Sequence, residues 1–156
     1  MTIRSYLTTL KLLYASLLMS ILIFLAIAYW MVTSNETPAD ASLEEILMFT
    51  TLGAALAGLA AGYFVFKSLI AKIPPTATLK TKLMEYQKAV IIRFACLEFP
   101  AMLGIVSAII TGGLTFFYVP AALIFIFIML RPTPQAVIED LALERTQLED
   151  PNAELN

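Results

Sequence analysis

The chain has no histidine, one cysteine and little charge, with Asp, Glu, Lys and Arg making up 14% of its 156 residues. The missing histidine removes the commonest general base and the commonest neutral metal ligand. A single thiol, Cys96, excludes an internal disulfide and any CxxC pair. Cys96 lies in an apolar run, where a thiol behaves as a small hydrophobe. The net charge of −2 offers no basic excess for nucleic acid. No nucleophile–base pair, metal cluster or cofactor motif is visible, so we expect no enzyme, no cofactor and no metal site.

What is abundant is apolar residues, at 60%. Soluble domains hold roughly 45–50%. Mean hydropathy is +0.83, and the excess is gathered into long runs. A run of about 20 residues crosses the hydrocarbon core as a helix. Four runs qualify, at about 12–32, 46–73, 89–111 and 114–130. The expected fold is therefore an all-α membrane protein with a bundle of four transmembrane helices over residues 1–131. Its main partner is the lipid bilayer.

The boundaries follow from local chemistry. Tyr29 and Trp30 near the end of the first run suit a membrane interface. A signal peptide competes for this run: Arg4 and Lys11 precede it, and Ala26-Ile27-Ala28 is a small-x-small pattern. The run continues through Tyr29-Trp30-Met31-Val32, which favours a retained span. Ser42 before Glu44-Glu45 predicts an N-cap with acids in the first turn. Pro74-Pro75 ends the second run. Leu79, Leu83, Tyr86 and Val90 recur at helical spacing, predicting a helix from about Thr78 that extends the third span into the cytoplasm. Gly112-Gly113 predicts a tight turn. Thr133-Pro134 reads as N-cap and N1 of an amphipathic cytoplasmic helix over 132–149. Residues 150–156 read as a disordered tail.

Orientation comes from the ten Lys and Arg residues. All lie in or beside the N-terminal tail, the second linker or the C-terminal tail, and none lies in the first or third linker. Cytoplasmic segments carry this excess. The expected location is the bacterial cytoplasmic (inner) membrane, multi-pass, with both termini cytoplasmic.

Two patterns mark candidate sites. Ala54, Gly58 and Gly62 repeat every four residues, as do Gly53, Ala57 and Ala61, and Gly104, Ala108 and Gly112. Such stripes let helix backbones approach closely in lipid. They predict packing between the second and third spans, or a homo-oligomer or larger membrane complex. The other pattern is Glu98, about 15 Å deep at 1.5 Å per residue. A charge at that depth costs at least ~2.5–3.5 kcal/mol. Pro100 removes a backbone hydrogen bond and should free the Cys96 carbonyl. Depth matching makes Ser16, Ser20 and Tyr63 candidate partners of Glu98 in an ion or proton site. Arg93 sits 140° around the helix from Glu98 at ~100° per residue and can snorkel to the interface.

The segments Tyr86-Gln87-Lys88-Ala89-Val90-Ile91-Ile92-Arg93, Leu97-Glu98-Phe99-Pro100-Ala101 and Leu130-Arg131-Pro132-Thr133 resemble a family of small uncharacterised four-span membrane proteins of Bacteroidota-type bacteria. The family implies location and fold, and no activity. Residues 46–111 also resemble the hairpin of rotary ATPase proteolipid subunits, which implies that Glu98 is an ion-carrying carboxylate. The longer linker, Pro100 and the two further spans depart from that pattern. Small multidrug exporters share four spans and one membrane Glu, but carry it on the first helix. Two functions follow as expectations. One is an accessory or structural subunit of a membrane assembly. The other is a proton- or cation-coupled transport component using Glu98.

Overall fold

The computed structural model describes residues 3–34 and 40–143. These form five α-helices, and no strand occurs among them. The helices are α1 (Ile3–Thr33), α2 (Glu44–Ala71), α3 (Leu79–Thr111), α4 (Tyr118–Met129) and α5 (Pro134–Asp140). Three of them, α1, α2 and α3, are long and apolar enough to cross a membrane. The chain is a helical membrane protein on that ground. Short 3-10 turns, Ala41–Leu43 and Leu114–Phe117, precede α2 and α4.

The fourth apolar run is the least regular. Its 3-10 turn and α4 together rise about 26 Å, a little under the ~30 Å hydrocarbon core. It passes the same test only when paired with α5, from which it is bent by 80°. Pro132 and Pro134 explain the break, since neither supplies an N–H to continue the ladder.

α3 is the hub. It packs most extensively on α2, then on α1 and α4, whereas α1 and α2 scarcely touch one another. The arrangement is thus three helices laid around a central one. α3 contributes Leu83, Tyr86, Ala89, Phe94, Leu97, Ala101 and Ile105 to the core. The outer faces are apolar and open: Leu12, Phe49, Leu56 and Phe64 are each about 70% exposed. In lipid such side chains need no protein cover, because acyl chains are as apolar as they are.

Helix ends show where chemistry departs from the sequence expectation. Ser42 does not cap α2. Its hydroxyl and amide both donate to Asp40 Oδ1, at 2.5 and 3.0 Å, and Leu43 occupies the cap position with no side-chain bond. Those two bonds hold the Asp40 carboxyl below the usual carboxylate pKa. Thr78 caps α3 by accepting the Thr81 amide at 3.3 Å. One helix then runs unbroken from the linker to Thr111. In the glycine pair only Gly112 takes the left-handed conformation, at φ 67°. Thr133 caps α5 by accepting the Ala136 amide at 3.2 Å, with Pro134 at N1.

α5 ends at Asp140, earlier than the expected 149. Leu143 N–H bonds to Ile138 O at 3.0 Å, and Ala142 N–H to Glu139 O at 3.3 Å. This pair of backward bonds is a Schellman closure. It places Ala142 at φ 47°. The rest of the expected helix, and the expected tail over 150–156, lie outside the described residues.

Candidate functional site

The helix α3 carries Glu98 to a half-buried position facing α1. Ser20 Oγ donates to Glu98 Oε1 at 2.9 Å. The same Oγ is 2.8 Å from the carbonyl of Leu17. A hydroxyl has one hydrogen and serves one acceptor fully at a time.

The other expected partners lie elsewhere. Ser16 is exposed and donates to Leu13 O of its own helix at 2.8 Å. Tyr63 is 47% exposed, with Lys67 Nζ 4.8 Å over its ring. It lines a cavity of about 530 Å³ with Phe66, Lys67, Arg93, Glu139 and Asp140. Of the three, the structure brings only Ser20 to Glu98.

The small residues divide by depth. At Gly58 a Cβ would collide with the Cys96 carbonyl oxygen and meet Pro100 Cγ at 3.0 Å. The carbonyl opposite Gly58 is the one that the ring of Pro100 deprives of its amide partner. At Gly62 a Cβ would lie 3.3 Å from Arg93 O. These two glycines let α2 press onto the backbone of α3. Gly104 serves another contact, since its Cβ would lie 2.9 Å from Pro120 Cδ and 3.4 Å from Thr51 Cγ2. Ala108 is fully buried on the same helix. Gly53 faces open space, with nothing within 4 Å of its Cβ position.

Ala54 lines a shallow apolar groove of about 480 Å³ along the outer seam of α2 and α3. Ala57, Ala61, Ala95, Cys96 and Phe99 form its walls. Phe99 is 67% exposed. No cluster of metal-ligating residues occurs among the described residues.

Two polar contacts escaped the sequence reading. Thr51 and Ser107 are fully buried, and their hydroxyls lie 3.2 Å apart. Ser107 gives its hydrogen to Leu103 O at 2.8 Å, so Thr51 is the donor to Ser107. The second is at the α5 end, where Tyr86 donates to Asp140 Oδ2 at 3.1 Å. Arg93 stacks 4.7 Å over the Phe66 ring nearby. Only residue types, not pairings, were available to find these, because each joins helices far apart in the chain.

Set against known proteins, the chain matches no family, and no curated protein or solved structure is similar to it.

Proposed function

We propose that the chain is an accessory or structural subunit of a larger assembly in the bacterial inner membrane, with four spans and both termini in the cytoplasm. It has no chemistry of its own in this reading. The observation that carries it is the open groove on α2 and α3. Gly58 and Gly62 press on the backbone of α3. Ala57 and Ala61, with the edge of Gly58, line the open groove beside Ala95 and Phe99. Small residues add little to binding lipid, yet they let a further helix approach to backbone distance.

Filling the groove tests this. The A57L/A61L double variant should keep the folded monomer while losing the larger particle on native mass measurement in mild detergent. Wild-type protein that runs as a monomer, or a variant that assembles equally well, defeats the proposal.

The one-sided charge supports the orientation. Tyr6 donates to Leu83 O at 2.7 Å, and Tyr86 to Asp140. The start of α1, the second linker and α5 therefore share one end of the molecule. That end gathers Lys11, Lys72, Lys80, Lys82, Lys88 and Arg131. The opposite end, where the Asp40 amide bonds Ile110 O at 3.1 Å, carries the acids Asp40, Glu44 and Glu45.

A second reading, proton- or cation-coupled transport, rests on the Glu98–Ser20–Leu17 chain of contacts. The Glu98→Gln variant keeps size and most hydrogen bonding but cannot titrate. Transport predicts loss of proton-coupled flux in proteoliposomes with normal assembly. Absence of flux in the wild type, or unchanged flux in the variant, removes this reading.

A further inference from the structure

The geometry points to a binding pocket for the phosphate headgroup of an anionic lipid, formed where α1 meets the end of α4. Lys11 precedes the apolar run of α1, and Arg131 follows the apolar run that ends α4. The two cations come from residues 120 positions apart, yet they line one cavity of about 340 Å³. That volume falls at the small end of the ~300–1,000 Å³ range of ligand pockets. Tyr14, Pro132, Thr133 and Pro134 complete the wall, and no carboxylate lines it. Among the described residues, neither cation forms an ion pair; the ion pair found there joins Lys88 to Glu85. Arg131 also borders a neighbouring cavity that Asp140 lines with Arg93 and Tyr86, but Arg131 and Asp140 form no ion pair among the described residues.

The polar groups suit a phosphate. Arg131 offers a planar fork that matches two phosphate oxygens, and Lys11 offers a compact charge. Tyr14 donates to Phe127 O at 3.3 Å, long for an O–H···O bond, so its hydroxyl can turn to a stronger acceptor. Beneath it, Tyr14 packs on Phe94 and Phe127 with centroids 5.4 and 5.5 Å away. Those two rings hold in place the Tyr14 ring that lines the pocket.

The surroundings favour a lipid over free phosphate. Leu12 directly follows Lys11 and is 70% exposed, and Met129 near Arg131 is 71% exposed. A charged rim thus stands directly above apolar side chains open to acyl tails, at the depth where headgroups lie. Basic pockets between membrane helices bind anionic headgroups in this way.

The test uses the full chain reconstituted in vesicles of mixed phosphatidylglycerol and phosphatidylcholine, then released for native mass measurement of retained lipid. Wild-type protein should retain phosphatidylglycerol in preference to phosphatidylcholine. Lys11→Gln and Arg131→Gln should each lower retention about fivefold, the change expected from one basic residue near an anionic surface. The double variant K72Q/K80Q removes two exposed charges from the second linker and should retain lipid normally. Thermal melting in detergent checks that every variant is folded. Equal retention of the two lipids, equal loss in K72Q/K80Q, or normal retention after both pocket substitutions overturns the proposal. Displacement of the lipid by excess inorganic phosphate overturns the lipid assignment.

Discussion

Gly58 shows how one residue decides a helix contact. Its hydrogen occupies the space into which the Cys96 carbonyl projects, and Pro100 leaves that carbonyl without an amide donor. Gly58→Ala should therefore destabilise by about 1–3 kcal/mol, the usual cost of overpacking against rigid atoms. Gly53→Ala meets nothing and should be neutral, or stabilising by up to ~1 kcal/mol through helix propensity. Thermal unfolding in detergent ranks the two, and equal effects would contradict the assigned contact. Both glycines belong to small-residue rows of the same spacing. Periodicity showed the rows but not which member is pressed against a backbone, because that depends on the angle at which α3 crosses. Glu98 is the converse case. Its depth and its oddity were legible from its place in an apolar run. Its pairing with Ser20 and not with Ser16 was not, since the two serines differ by one helical turn and only the fit of α1 against α3 selects between them.

Elements end where local bonds outcompete the pattern. The apolar spacing of Val137, Ile138 and Leu141 continues to Leu148 in sequence, yet the helix closes at Asp140. The closure buries Val137 and Leu143 and forces Ala142 into the left-handed region. A non-glycine residue there costs ~1–2 kcal/mol. Ala142→Gly should relieve most of that, net of the extra freedom glycine gives the unfolded chain. The expected outcome is a gain of about 1 kcal/mol in the local stability of α5, read as slower hydrogen exchange at the amides of Leu141 and Leu143. Faster exchange would contradict the strained closure. At the other end of the molecule, Ser42 held the right residue type for a cap. Asp40, two residues earlier, takes its hydroxyl, and side-chain competition of that kind is common for Asp and Ser in turns.

At the scale of the whole molecule the organising fact is that α3 touches every other long helix. Four apolar runs predict four elements, and they do not predict a hub. The hub arises because Gly58 and Gly62 let α2 press onto the backbone of α3, while Gly104 of α3 admits Pro120 of α4. Topology can be checked directly. A reporter active only in the cytoplasm should be active when fused to either terminus, and inactive when inserted in the first linker. An inactive N-terminal fusion would instead place that end outside and revive the signal-peptide reading of the first run.

Hydropathy, charge placement and punctuating prolines and glycines determined the helical membrane class, the extent of most helices and the gathering of positive charge at one end. Those properties are additive along the chain: each residue's preference for lipid or water counts wherever its neighbours lie. Tertiary structure alone decided which glycines bear contact, which serine meets Glu98, where α5 stops, and that Lys11 and Arg131 share a pocket. Each of these depends on side chains from distant segments meeting at a few ångströms. Helix crossing angles and register set such meetings, and neither is written in the composition of any one helix.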